Sequence, residues 1–326
     1  MSKKEQPQRN DIIDPMAEIK KRIGVNILEP LINKGYLLEI NHAENCKALN
    51  ENLKNPAVIY FNHISGDDPF FIAHLFLKHL PNRVGNLIFP VSDEYTIFKN
   101  FPAYATAVYL AQSVFGFQML PIVQSYRLRD DQLSKPNKEE LSQKVFELGR
   151  RFVNTVNEEL PKGATIIVAP EGHRSSSGVL QPAENGLGQI ANKLQHQQKD
   201  GFISDALFLP VGIRYETHSS KTLNFNPLSK PKIAINVGDP LNISDVVQGT
   251  KRMLSYLGLN DNEQFISRQQ LTTYLMTRLS YLLPEQMQGV YGYQLLPDTL
   301  AGRFELAFNK DRKVGVFDKK SQSFIL

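Results

Sequence analysis

Six short apolar runs, separated by stretches with helical spacing, constrain the fold of this chain more than any other feature. The runs are AVIYF (57–61), LIFPV (87–91), MLPIV (119–123), ATIIVA (164–169), ALFLPVGI (206–213) and KIAINV (232–237). Continuous runs of this length predict strands that are buried on both faces. Apolar residues recur three to four positions apart in the intervening stretches, at 69–80, 104–115, 138–160 and 183–198. The sequence therefore predicts an α/β fold, with a central mixed sheet flanked by helices.

Both ends of the chain carry helical patterns of their own. Apolar positions at 16–23 and 25–32, with Gly35 as a stop, indicate an N-terminal helical hairpin. Helical spacing resumes at 243–259 and 267–283, before a basic tail. We therefore predict an N-terminal helical segment over residues 1–50, a core over 51–240 and a C-terminal helical extension over 241–326.

Charge and cysteine content exclude several classes of protein. The 37 Lys and Arg residues against 33 Asp and Glu residues give a net charge of +4, and the basic clusters are scattered, so we expect no nucleic-acid partner. One cysteine, Cys46, excludes an intramolecular disulfide framework and a cysteine-based zinc site, and it favours a reducing compartment or a cytosolic membrane face. His74 and His79 have no second pair at ligand spacing, so we expect no metal site.

One uncharged segment, residues 100–126, raises the question of membrane insertion. It is interrupted by two prolines, a glycine and several polar residues, which favours a buried helix followed by a strand. A membrane-inserted surface or a true span are the alternatives. The N-terminal residues MSKKEQPQRNDIIDP contain no apolar stretch typical of a secretory signal. We expect a cytoplasmic protein.

The first candidate site follows the first apolar run. His63 and Asp68 lie five positions apart, and Gly66 and Pro69 favour a turn into a helix between them. Such a turn would let the carboxylate orient the imidazole, and an imidazole held in one tautomer can take a proton from a hydroxyl. In the alternative interpretation, Asp68 caps the helix that begins at Pro69 and His63 is an ordinary loop residue.

The second candidate site follows the fourth apolar run and reads APEGHRSSSG (169–178). Its glycines and serines and the Arg174 guanidinium would lie at the carboxyl end of a strand, where α/β sheets bind ligands. A guanidinium together with backbone amides suits a phosphate group. Alternatively, the segment is a solvated loop in which Arg174 pairs with Glu171.

The two sites together resemble the motifs of the glycerolipid acyltransferase family. The first motif matches at Asn62-His63-x-Ser65-x-x-Asp68-Pro69, and the third at Pro170-Glu171-Gly172-x-Arg174-Ser175. Leu209-Pro210-Val211-Gly212-Ile213 resembles the family's fourth motif. The resemblance covers about residues 56–215, and it implies an O-acyltransferase of lipid metabolism and phospholipid biosynthesis.

The family resemblance also implies roles for individual residues. His63 would be the general base on the acceptor hydroxyl, with Asp68 orienting it. Glu171, Gly172, Arg174 and Ser175 would bind the acceptor. Pro210 would shape the side of the acyl donor, which would be a coenzyme A or acyl carrier protein thioester. No other cofactor is implied, and we expect peripheral association with the cytoplasmic membrane face.

Two departures from the family's motifs bear on the acceptor. His173 stands where the third motif commonly has threonine, and Gln124 stands where the second commonly has a phosphate-binding arginine. Arg127 or Arg129 could substitute from a shifted loop. The acceptor is thus expected to be a glycerol phosphate or a lysophospholipid. Two other functions stay open: a non-catalytic lipid-binding protein of the same fold, and an acyl-thioester hydrolase.

Overall fold

The computed structural model of the protein describes residues 26, 29–30, 32–92, 117–123, 135–216, 230–256 and 266–295, with three strands near the C-terminus. Its centre is an eight-stranded sheet. The strands of this sheet are β1 (Leu37–Asn41), β2 (Ala57–Phe61), β3 (Leu87–Ser92), β4 (Phe117–Ile122), β5 (Thr165–Val168), β6 (Leu207–Tyr215), β7 (Lys232–Val237) and β8 (Leu241–Asn242). The helices are α1 (Lys47–Glu51), α2 (Asp68–His79), α3 (Lys135–Glu159), α4 (Gly186–Lys199), α5 (Ile243–Tyr256) and α6 (Arg268–Ser280).

The sheet is mixed, with strand order β1-β7-β6-β2-β5-β3-β4, and β8 pairs with β6. Strand β2 is parallel to β5 and β6, its two neighbours, whereas β6 and β7 are antiparallel. Because β2, β5 and β6 run in one direction, their carboxyl ends lie at the same edge of the sheet. The segments that follow β2 and β5 therefore meet beside the end of β6.

Two hydrophobic cores cover the two faces of the sheet. On β2, Val58 and Tyr60 point into a core that also contains residues of α4, α5 and α6. Ile59 and Phe61 point into the opposite core, which contains residues of α2. Burial on both faces explains why β2 is apolar at every position, and each large side chain contributes roughly 1.5–3 kcal/mol to the free energy of unfolding.

The predicted fold class is confirmed, and all six apolar runs form strands. The boundaries agree to within about two residues. The largest differences are two residues: β4 begins at Phe117, before its predicted start, and β6 continues through Arg214 to Tyr215. Helices α2, α3, α4, α5 and α6 lie where helical spacing was found.

One strand near the N-terminus and a group of three strands near the C-terminus lie in segments where we expected helices. Strand β1, inside residues 1–50, pairs in parallel with β7, which is nearly two hundred residues away along the chain. Its inward side chains, Leu38 and Ile40, alternate with Glu39, and helical spacing on its N-terminal side obscured this period of two. In the tail, β9 (Phe304–Phe308), β10 (Val314–Asp318) and β11 (Ser323–Ile325) form an antiparallel sheet.

Several expectations fall partly or wholly on residues outside the described ranges. Most of the N-terminal hairpin does, as do residues 100–116 and 124–126 of the uncharged segment; residues 117–122 of that segment form β4. Throughout the described residues, no helix is both long and apolar enough to cross a membrane.

Candidate active site

The loop after β2 brings His63 and Asp68 into direct contact. His63 Nδ1 lies 2.9 Å from Asp68 Oδ2. The Asp68 side chain is fully buried, whereas 21% of the His63 side chain is exposed. Since Nδ1 faces the carboxylate, Nε2 is the ring nitrogen left for a ligand. The two residues are therefore arranged as a base and its orienting carboxylate.

Asp68 does not cap helix α2. Its Oδ2 accepts hydrogen bonds from the backbone N–H groups of Ile64 and Ser65, at 2.7 and 2.8 Å, which precede it in the chain. Its Oδ1 accepts a hydrogen bond from the Tyr215 hydroxyl at 2.6 Å. Thus four donors, counting His63, converge on one buried carboxylate and hold it in place.

Glu171 joins the second motif to the first. Its Oε1 accepts a hydrogen bond from the His63 backbone N–H, and its Oε2 accepts one from the Gln181 N–H, both at 2.6 Å. The side chain is buried, and burial raises the pKa of Glu171 to about 8 despite these two bonds, which lower it. The Asp68 charge adds to the increase. Glu171 thus fixes the His63 backbone.

Ser175 and Gly172 shape the loop that carries Arg174. The Ser175 N–H donates to the His63 carbonyl at 2.7 Å, and its hydroxyl donates to the Val179 carbonyl at 2.6 Å. Gly172 has a φ of +70°, which favours glycine, and a Cβ there would lie 3.3 Å from Glu184 Cγ. Ser175 therefore holds the second loop against the first, and Gly172 allows the turn that precedes it.

Arg174 is exposed beside this junction. Its guanidinium makes no hydrogen bond or ion pair with any residue in the described part of the chain, so the alternative pairing with Glu171 is not formed there. Arg127 lies outside the described residues. Pro210 is buried within β6, opposite Tyr60 of β2, and its carbonyl accepts a hydrogen bond from Gly238 N–H at 2.9 Å.

The remaining candidate groups of the sequence lie apart from this site. His74 and His79 are on α2, where burial lowers the pKa of each. Cys46 is buried, and burial raises the pKa of its thiol to about 12. Within the ranges that the structure describes, no three His, Cys, Asp or Glu side chains are grouped as metal ligands.

Sequence reasoning did not identify Tyr215 or the bond between Glu171 and the His63 backbone. Tyr215 follows Arg214, which ends the apolar run, and it is 147 positions from Asp68. The only sequence signal was the alternation that continues from Ile213 to Tyr215. A buried carboxylate, a partly exposed imidazole and a nearby exposed guanidinium can together bind an anionic molecule and deprotonate its hydroxyl group.

Comparison with known proteins identifies a family for this chain. A family model described as Acyltransferase matches residues 38–214, more than half of the chain. No curated protein sequence matches. Among solved structures, the chain is similar to the 1-acyl-sn-glycerophosphate (LPA) acyltransferase PlsC from Thermotoga maritima, with a TM-score of 0.43 and 15% sequence identity. That alignment covers 82% of this chain and 78% of the other.

Proposed function

The chain belongs to the acyltransferase family, and we propose that it transfers a fatty acyl group from a thioester to a hydroxyl of a glycerol-phosphate or lysophospholipid acceptor. His63 is the general base in this proposal. The observation that carries it is the 2.9 Å contact between His63 Nδ1 and the buried Asp68, which leaves Nε2 for the acceptor. The thioester belongs to coenzyme A or to acyl carrier protein.

In the proposed reaction the acceptor hydroxyl attacks the thioester directly, without an acyl-enzyme intermediate. The acceptor hydroxyl donates its proton to His63 Nε2 while its oxygen attacks the thioester carbonyl carbon. The tetrahedral intermediate then expels the thiolate, which takes the proton back from the imidazolium. Asp68 stabilises the imidazolium during both steps, because its buried charge lies next to Nδ1.

The acceptor is proposed to carry a phosphate that Arg174 binds. The guanidinium is exposed, lacks a carboxylate partner among the described residues and follows a loop bonded to His63. Arg174→Ala should therefore raise KM for a phosphate-bearing acceptor about tenfold or more, because a charge-assisted hydrogen bond is lost. The urea midpoint should stay unchanged. An equal KM in the variant and the wild type would remove Arg174 from the acceptor site.

The decisive experiment measures products by mass spectrometry. The wild type and the variants His63→Ala and His196→Ala are each incubated with palmitoyl thioesters of both carriers. The acceptors are glycerol 3-phosphate and a panel of lysophospholipids. His196 is exposed on α4 and serves as the matched control. Acylated product that disappears only in His63→Ala supports the proposal. Free fatty acid without acylated product would point to a hydrolase, and no turnover with any pair would point to a lipid-binding protein.

We also propose peripheral association with the cytoplasmic membrane face, since the acceptor is a lipid or a lipid precursor. The sequence feature that supports it is the cluster Lys20-Lys21-Arg22 beside apolar residues. Flotation with vesicles that contain anionic phospholipid tests it, with the triple alanine variant of this cluster as the control. Equal flotation of both proteins would exclude this cluster as the attachment point.

A further inference from the structure

The two oxygens of the buried Asp68 carboxylate have unequal surroundings. Oδ2 faces three donors, which are His63 Nδ1 and the backbone N–H groups of Ile64 and Ser65. Oδ1 faces the Tyr215 hydroxyl, at 2.6 Å. Since the Asp68 side chain has no exposed surface, bulk water cannot replace the hydroxyl at Oδ1. The Tyr215 hydroxyl therefore decides whether this oxygen is satisfied.

Tyr215 is itself held in place. It is the last residue of β6, paired with Ile233 of β7, and its ring contacts Phe71 of α2 edge-on, with the ring centroids 6.1 Å apart. Burial and the Asp68 charge raise the pKa of Tyr215, so the phenol stays a donor throughout the working pH range. Tyr215, fixed at the end of β6, thus keeps its hydroxyl as a hydrogen-bond donor to Asp68.

We propose that Tyr215 is a positioning residue of the acyltransfer site, which acts on His63 through Asp68. The effect of Tyr215 on catalysis rests on the proposed function, because it assumes that His63 is the base. The hydroxyl stops the carboxylate from rotating about its Cβ–Cγ bond, so Oδ2 stays opposite His63 Nδ1. It also withdraws negative charge toward Oδ1, which limits how strongly Asp68 stabilises the imidazolium.

A matched control exists on the neighbouring carboxylate. The Tyr36 hydroxyl donates to Asp67 Oδ2 at 2.5 Å, and the Tyr36 ring packs edge-on against Phe71, the ring that Tyr215 also contacts. Each tyrosine therefore donates to one of two adjacent aspartates, Tyr36 from a buried position and Tyr215 from a partly buried one. Of the two, only Tyr215 donates to the carboxylate that contacts His63. A purely structural effect of losing a tyrosine hydroxyl would occur in both variants.

The test compares Tyr215→Phe with Tyr36→Phe in the full-length protein, using kcat and KM as a function of pH. In Tyr215→Phe we expect kcat to fall about tenfold or more, because the carboxylate is no longer held with Oδ2 opposite His63 Nδ1 and the imidazole loses its fixed orientation. KM should change by less than about twofold, because the hydroxyl does not touch the substrate. The acidic limb of the kcat/KM profile should move to higher pH, since Asp68 holds the imidazolium more tightly. Tyr36→Phe should keep the wild-type profile.

Site-specific 3-fluorotyrosine at position 215 gives the opposite perturbation without removing the hydroxyl. The fluorinated phenol is a stronger donor, so the acidic limb should move to lower pH. This variant also serves if Tyr215→Phe fails to fold. The titratable groups that face Asp68 are His63, Tyr215, Asp67 and Glu171, and the substitution changes only one of them directly.

A measurement without substrate separates this inference from the proposed function. Histidine ring NMR follows the His63 titration, with the signal identified by its loss in His63→Gln. We expect the midpoint to rise in Tyr215→Phe, to fall with 3-fluorotyrosine and to stay constant in Tyr36→Phe. If these shifts occur but no acyl transfer is found, the proposed function fails and the positioning role stands. Unchanged titration in both Tyr215 variants, or equal shifts in Tyr36→Phe, would overturn it.

Discussion

Asp68 can be tested by two substitutions that the structure predicts to have very different effects on folding. In Asp68→Asn the side-chain oxygen can occupy the Oδ2 position, where it accepts from His63 Nδ1 and from two backbone N–H groups. The amide group then lies at the Oδ1 position, where the Tyr215 hydroxyl can reverse and accept from it. Asparagine thus keeps the hydrogen bonds and removes only the charge. Alanine removes both.

The expected magnitudes follow from these contacts. Two unit charges about 4 Å apart interact by about 4 kcal/mol at an effective dielectric constant of 20, so losing the Asp68 charge should lower kcat about 1,000-fold. The free energy of unfolding of Asp68→Asn should stay within about 1 kcal/mol of the wild type, since no buried group is left unpaired. Asp68→Ala leaves two backbone N–H groups and a phenol unpaired, and should lose about 3–5 kcal/mol.

The assay combines urea unfolding followed by circular dichroism with acyl transfer measured at a fixed, low urea concentration. Both variants should be nearly inactive, but only alanine should lower the urea midpoint strongly. The reasoning is refuted if Asp68→Asn keeps more than about a tenth of the wild-type kcat. It is also refuted if asparagine and alanine destabilise the protein equally, since that would mean that the hydrogen bonds to Asp68 do not hold the loop.

Three further predictions concern stability and reactivity. The pKa of Glu171 is raised from 4.5 to about 8, so between these pH values the folded protein keeps a proton that the unfolded chain has lost. The free energy of unfolding should therefore fall as pH rises through this range, by up to about 1.4 kcal/mol per pH unit. Glu171→Gln should remove this slope, as measured by urea titrations at pH 5 and 8. Arg83 is buried and donates to three backbone carbonyls at 2.7–2.9 Å, which a single lysine nitrogen cannot span. Arg83→Lys should therefore lower the free energy of unfolding by about 2–3 kcal/mol in calorimetry. A loss under about 1 kcal/mol would contradict the role of these bonds. The Cys46 thiol, buried with its pKa raised to about 12, should react with a disulfide reagent only after unfolding, and fast labelling of the native protein would disprove its burial.

Local sequence was sufficient to predict much of the sheet and the first half of the site. The run AVIYF forms β2 with the predicted boundaries, because burial on both faces requires an apolar residue at every position. His63 and Asp68 contact each other as predicted, because only four residues separate them in the chain. Strand β1 was missed, because its pairing partner β7 lies far away in the chain and its own pattern spans only five residues.

The rest of the site depends on how distant strands are aligned. Phe61, the last residue of β2, is opposite Val211 of β6, and β6 then continues for four residues to Tyr215. This register places the Tyr215 hydroxyl beside the loop that β2 enters, and it could not be read from either segment alone. The Glu171 contact with the His63 backbone depends likewise on β5 being the other neighbour of β2. Sequence thus determined which residues form the His63–Asp68 pair, and strand order and register decided which residues hold this pair, because parallel strands are paired by contacts between segments far apart in the chain.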